Sequence, residues 1–377
     1  MRIEQKLWID QSGWSNVVNH NISSAAQLVL AFGDKEALSV PERFEEIRSF
    51  YPNADIVTCS TAGEILDEKV SEGTINVTAI VFEATNVRTH LVSISNSDHS
   101  FNAGEKLLDE LKSDDLVYTL VISDGHIVNG SELTKALGQN TDSIVTGGLA
   151  GDGPNFQSTL VGLNEAPSEG MIVGVGFYGQ NLQVGHAARG GWDPFGPERM
   201  VTKSKANVLY ELDGKSALDL YKKYLGELAD ELPGSALLFP LSIKSNGSSP
   251  LVRTVLSVDE EEKSMTFAGD IPQGSIARMM RSNFERLIDG ASRAADISIS
   301  DFGSFEPDLA LLISCAGRKF ALGERVEEEV ERVKEVLGDN TVIAGFYSYG
   351  EISPVVSSTK CELHNQTMTI TTLKETV

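Results

Sequence analysis

The groups in this chain able to bind or react are six histidines, three cysteines, and a few arginines and acids beside glycine. His186 lies in VGHAARGGW, where an imidazole, Arg189 and an aromatic ring are close in sequence. His364 lies in CELHNQTMTI, flanked by Cys361, Asn365 and Gln366. These two are the first candidates for iron ligation, because imidazole is a frequent axial and metal ligand. His126 follows Asp124-Gly125 at a predicted strand end and reads as the edge of a site. His20 and His99 sit in polar runs and His90 falls mid-strand, so all three read as surface or satisfied positions. Cys59, Cys315 and Cys361 are odd in number and widely spaced, with no CxxC or CxxCH. That spacing excludes a disulfide framework, a zinc knuckle and covalent haem attachment. No cysteine precedes a proline, and the ordinary role of a free cysteine is a small buried hydrophobe.

A second chemistry is the capture of an amino-acid-like ligand. Arg253, Arg318 or Arg189 would grip a carboxylate by paired hydrogen bonds, and Glu64 or Glu351 would accept an ammonium. Ser60, Thr61, Ser348, Tyr349 and Asn365 would add neutral hydrogen bonds. The plain alternative for each arginine is a surface salt bridge. Arg318 differs, because a guanidinium directly after a buried strand is costly without a partner. A third chemistry is thiol catalysis at Cys315, with Arg318 lowering its pKa. It lacks an assignable base and oxyanion hole, and the chain has no GxSxG, HExxH, P-loop or strand-helix GxGxxG. The expectation is a protein without turnover of its own.

Most of these groups sit at the ends of β-rich runs. DIVTCS, LVYTLVISD, GMIVGVGFYG, SALLFPLSI, LALLISC, TVIAGFYSYG and TMTITTL carry the Val, Ile and Thr density of strands. Unbroken apolar runs such as LALLIS predict strands covered on both faces. Helical stripes run through VPERFEEIRSFY, KLLDELK, SALDLYKKYLGEL, SIARMMRSNFERLIDGASRAAD and ERVEEEVERVKEVLG, the last stopping at Gly338. The expected class is α/β, as two mixed-sheet halves with more strand than helix. Residues 189–216 are rich in Gly, Pro and polar side chains, which places a boundary near 214 between domains 1–214 and 215–377. One continuous body whose halves exchange strands is the alternative. CSTAGEI (59–65) and FYSYGEI (346–352) both set hydroxyl residues and Gly-Glu-Ile past a strand, an internal pseudo-repeat; LVISDGHIVNG and LLISCAGRKFALG form a weaker pair.

The 377 residues carry 54 acidic and 31 basic side chains, a formal charge of −23. Such a field repels phosphate, which sets aside nucleic acid and anionic membranes as partners. At 41% hydrophobic and 23% charged the composition is that of a globular protein. No run approaches the roughly 18 apolar residues of a membrane span. The opening MRIEQKLWIDQSGWS has no signal-peptide core. A reduced, cytoplasmic protein without membrane insertion is expected.

CSTAGEI, GGLAGDGPNF, GGWDPFGPERMVTKS and VLYELDGKSALDLYKKYLG resemble the N-terminal part of the FIST family. FPLSI, LVRTV, FAGDIPQGS, LISCAGR, GFYSYGEI and CELHNQTMTI resemble its C-terminal part. The resemblance implies an N-type domain over 1–214, a C-type domain over 215–377, and a sensory ligand-binding role in signal transduction. Stand-alone members of about this length include haem-binding nitric-oxide-sensing proteins that regulate a partner histidine kinase or cyclic-di-GMP enzyme. The chain carries no kinase or cyclic-di-GMP signature of its own. Haem is therefore the first cofactor expectation, with His186 or His364 on iron and Arg189 at the propionates; a small amino-acid-like ligand without haem is the alternative.

Overall fold

The computed structural model describes residues 1–139, 143–245, 249–300, 302–303, 306–354 and 361–376. The α/β body repeats one plan three times. A leading strand precedes two parallel strands joined by a helical crossover, and a fourth strand returns to lie between the leading strand and the first of the parallel pair. In the first unit these are β1 (Arg2–Ile9), β2 (Leu28–Gly33), β3 (Asp55–Ser60) and β4 (Thr74–Val81). The second unit has β5 (Asn86–Ser93), β6 (Leu116–Ser123), β7 (Ile144–Leu149) and β8 (Met171–Tyr178). The third has β9 (Leu182–Arg189), β10 (Leu309–Cys315), β11 (Val342–Ser348) and β12 (Met368–Glu375). The pairs β2–β3, β6–β7 and β10–β11 are parallel, as a helical crossover requires.

Alternation along these strands explains the layers. Leu28, Leu30 and Phe32 of β2 share one core with Tyr118, Leu120 and Ile122 of β6 and Leu309, Leu311 and Ile313 of β10. The opposite faces carry helices. Val29 and Ala31 meet α1 (Pro41–Phe50). Val121 meets α2 (Ser100–Leu111) and α3 (Gly130–Leu137). Ala310 and Leu312 join the apolar cluster of two later helices, Phe284–Ser298 and Val326–Leu337. Strands such as LALLIS are continuous in hydrophobicity because both of their faces are buried.

Each unit also lends its neighbour an edge. The hairpin Glu64–Leu66 and Lys69–Ser71 of the first unit pairs with β11 of the third. The hairpin Gly350–Pro354 and Cys361–His364 of the third pairs with β7 of the second. Val161–Leu163 of the second pairs with β3 of the first, whose other edge is its own strand Gly13–Val18. The exchange is cyclic, so among the described residues each unit's six-stranded sheet includes an arm from another unit.

Between β9 and β10 the chain forms a separate lobe over residues 193–281. Its nine-stranded sheet and helix α4 (Ala217–Leu225) pack around Leu209, Leu218, Tyr221 and Phe267. The periodicity of SIARMMRSNFERLIDG predicted one long helix, but Ile276–Arg281 is a strand paired with Leu241–Lys244. Asn283 is the reason: its side chain accepts from the Arg286 amide and starts α5 (Phe284–Ser298) there. SALLFPLSI is likewise split. Residues 234–238 form a 3-10 turn, and the strand begins after Pro240, which has no amide to donate. In the third crossover, α6 (Ala316–Leu322) and α7 (Val326–Leu337) follow β10.

Candidate functional site

The two Gly-Glu-Ile copies adopt one geometry. Past β3, Glu64 accepts from Thr61 Oγ1 at 2.5 Å and from Thr74 Oγ1 and N at 2.9 and 3.3 Å. Past β11, Glu351 accepts from Ser348 Oγ at 2.9 Å and from Thr367 Oγ1 and N at 2.9 and 3.1 Å. Both carboxyls are fully buried, and desolvation raises their pKa values to about 7 and about 8, against the lowering effect of these hydrogen bonds. Ser60 also faces inward, its Oγ accepting from the Leu160 amide at 2.8 Å. These residues seal the origins of the exchanged arms. A third copy, missed in the sequence, is Gly151-Asp152 past β7. Asp152 accepts from the Phe156, Gln157 and Ser158 amides at 2.8, 3.0 and 3.1 Å and from the Tyr349 hydroxyl. Its signal was GGLAGD, which shares the Ala-Gly-acid ending of CSTAGE past a strand, with Asp for Glu and no hydroxyl or cysteine before it.

The candidate arginines divide. Arg318 is buried, gives Nε and Nη2 to Glu329 at 3.1 and 2.7 Å, and binds the Gly190 and Leu287 carbonyls, each at 2.8 Å. Glu329 also accepts from Ser314 and Tyr347. Arg253 is buried too, its Nη1 on the Leu363 carbonyl at 2.9 Å, and burial lowers its pKa to about 10. Both guanidinium groups hold backbone carbonyls in place. Arg189 is partly exposed, donates to the Ala188 carbonyl, and lies on a cavity of about 490 Å³. Asn365 is buried, and its side-chain amide has no hydrogen-bond partner among the described residues. Cys59, Cys315 and Cys361 are buried and unpaired, and desolvation pushes each thiol well up.

Of the candidate iron ligands, His186 and His364 lie away from the cavities, whereas His126 lines one. His364 is buried on the Cys361–His364 strand with Nε2 3.0 Å from the Ser353 carbonyl, and burial lowers its pKa to about 4. His186 stands mid-strand on β9 in register with Thr371. Neither is on the wall of any cavity described below, whereas Arg189 is. Among the described residues no group of three His, Cys, Asp or Glu side chains is placed to hold a metal ion. Among the same residues no helix is long and apolar enough to cross a membrane.

The cleft that gathers chemistry lies at the carboxyl ends of β6 and β7, where parallel strands open toward a ligand. Its volume is about 460 Å³. One wall is the body: His126 and Asn129 on the loop after β6, and Tyr349 stacked on Phe156 with centroids 4.4 Å apart. The other wall is the inserted lobe, with Asn207, Ser257 and Asp270. The Asp124 carboxylate shapes the loop by accepting from the His126, Ile127 and Gly170 amides at 2.8, 2.5 and 3.1 Å. Asp270 stands on this cleft and also on a neighbouring cavity of about 410 Å³ that includes Arg253 and Lys135. Its amide binds Ser131 Oγ at 3.1 Å, its carboxylate Oδ1 is buried without a hydrogen-bond partner among the described residues, and desolvation raises its pKa. Of the sequence candidates only Tyr349 and His126 reach this cleft. Asp270, Asn129 and Asn207 were missed, because nothing local marks a residue whose partner surface is the other lobe.

A family model described as the FIST N domain matches residues 27–215, and one described as the FIST C domain matches 217–354. The two matches meet at Ser216, the N-cap of α4, inside the inserted lobe. An uncharacterized protein of Methanocaldococcus jannaschii is 23% identical over 384 residues, spanning 89% of this chain and 71% of its own length. FIST domains are associated with sensory signal transduction and ligand binding.

Proposed function

The chain belongs to the FIST family, and on that premise we propose that it is a sensory protein whose ligand is a small amino-acid-like molecule seated in the 460 Å³ cleft between body and lobe. The observation that carries the reading is Asp270, a residue of the cleft wall whose carboxylate oxygen Oδ1 is buried with no donor among the described residues. Such an oxygen is costly when left unmade and is matched by an ammonium group. His126, Asn129 and Asn207 offer donors to the acid end of the same molecule. The lobe reaches the body through Asp270 N to Ser131, Arg253 to Leu363 and Gln366 to Thr254. A ligand gripping Asp270 therefore acts on a contact between the two. A separate signalling protein, a histidine kinase or a cyclic-di-GMP enzyme, reads that state, and the chain itself has no turnover.

Calorimetric titration with single amino acids and primary amines tests the reading. Saturable binding by an amino acid, weakened at least tenfold in Asp270→Asn, is the expected result. Equal affinity in Asp270→Asn, or no binding across the panel, overturns it.

A further inference from the structure

The 490 Å³ cavity lies elsewhere, and none of its wall residues belongs to the cleft. It is formed by the segment after β9 and by the exposed face of α5. Arg189 stands on one side; Arg286, Asp289 and Arg293 stand on the other, in a stripe at three-, four- and seven-residue spacing along the helix. The glycines between them are required by distance. A Cβ on Gly290 would lie 2.0 Å from the Gly190 carbonyl oxygen, and one on Gly191 (φ +131°) would lie 2.1 Å from that of Arg286. The segment and the helix therefore touch backbone to backbone. Arg318 fixes them from the buried side, binding Gly190 O and Leu287 O with one guanidinium group. The cavity has a rigid floor and cationic rims.

The charge pattern sets it apart in a chain with a net charge of −23. Arg286 pairs with Asp193 at 2.6 Å. Arg189 has only its neighbour's carbonyl, and Arg293 has no hydrogen bond or ion pair among the described residues. Among the described residues these two guanidinium groups have no carboxylate ion-pair partner, and both line one cavity whose wall carries three arginines against one acid, Asp289, although acids outnumber bases by 54 to 31 over the chain. Guanidinium forks match the paired oxygens of carboxylates and phosphates.

We propose that this cavity is a binding site for a small dianion presenting phosphate or carboxylate oxygens, held by Arg189 and Arg293 from opposite sides. The proposal does not depend on the amino-acid reading of the cleft. The test is titration of inorganic phosphate and of succinate at constant ionic strength, with sodium chloride as the matched control, read by calorimetry and thermal shift. Saturable binding by either is expected; phosphate alone assigns phosphate esters and succinate alone assigns dicarboxylates. Arg189→Ala and Arg293→Ala should each weaken it at least tenfold, while Asp270→Asn leaves it unchanged. Arg293 is exposed and Arg189 partly exposed, and circular dichroism of each variant without ligand verifies that it folds. A non-saturating response equal to that of chloride, or unchanged affinity in both arginine variants, overturns the proposal.

Discussion

Replacing Glu351 by glutamine should remove most of the loss of stability that this protein suffers above neutral pH. The fold opposes ionisation of Glu351 and of its counterpart Glu64, whose pKa values rise from 4.5 to about 8 and about 7, chiefly through desolvation. In the pH range between the unfolded and folded values the native state holds a proton that the unfolded chain releases. Stability is then greatest below about pH 4.5 as far as these two groups are concerned, and falls as pH rises through 7 and 8. At about 1.4 kcal/mol per pH unit, full ionisation costs roughly 3 kcal/mol at Glu64 and roughly 5 kcal/mol at Glu351. His364 acts in the other direction: neutral in the fold with its pKa near 4, it makes stability rise with pH up to about 6.5. The window from about pH 6.5 to 9 therefore isolates the carboxyls. The Glu351→Gln side chain keeps the geometry, its oxygen accepting from Thr367 and its amide donating to the Ser348 hydroxyl, while carrying no titratable proton. Only the part between about pH 6 and the folded value of about 8 falls inside the measured range, about two pH units or roughly 3 kcal/mol at Glu351. With an unfolding entropy of about 2.1 cal/mol/K per residue over 377 residues, that corresponds to roughly 3–4 °C in Tm. Thermal and urea unfolding between about pH 6 and 9 should show the wild type falling steeply and Glu351→Gln falling by about that much less. Parallel curves for the two proteins would refute the reasoning.

Arg318→Met should destabilise the fold by roughly 3–5 kcal/mol, because Glu329 is left buried without its cation; urea unfolding measures this, and a loss under about 1 kcal/mol would contradict the network. Tyr349→Phe removes the hydroxyl shared by Asp152 and Gly153 and should cost about 1–3 kcal/mol, with faster proteolysis of the 152–158 segment as its local sign. The three thiols are buried and held protonated, so a disulfide reagent should label none of them in the native protein within minutes; rapid labelling of Cys315 would reopen thiol catalysis. Protein offered haem should give the spectrum of free haem. A sharp Soret band that shifts with nitric oxide and is lost in His186→Ala or His364→Ala would reverse the reading of both histidines.

Much of the fold was legible because it is local. Both-face burial shows as continuous apolar runs in β2, β6 and β10, and helix limits show as Pro41, Ser216 and Gly338. The pairing of CSTAGEI with FYSYGEI was legible for the same reason, since the hydroxyl that caps each glutamate lies three residues before it. The threefold plan was not. Its partners lie as far apart as Leu66 and Ala344, and a three-residue edge strand has too few side chains to announce which sheet it will join. The fate of Arg318 was foreseeable as a need for a partner, but the partner, Glu329, became visible only once α7 was folded back over β10.

The cleft occurs where the repeat is broken. In the first unit β2 leads into a short helix at Lys35–Leu38, and in the third β10 leads directly into α6, so both strand ends are covered at once. In the second unit β6 leads into a loop, residues 124–129, held open by Asp124. The acid past the parallel pair departs at the same place. Glu64 and Glu351 close onto hydroxyls within their own arms, whereas Asp152 has no such hydroxyl and takes the amides of residues 156–158 instead. That bends the arm back, brings Phe156 onto Tyr349 of the third unit, and leaves the carboxyl ends of β6 and β7 facing the inserted lobe. Two copies of the plan preserve the body, and the divergent copy supplies the concavity. A change that restored the symmetric pattern there, such as a hydroxyl three residues before residue 152 paired with Asp152→Glu, would compete with the loop amides for the acid and should close the cleft without unfolding the body.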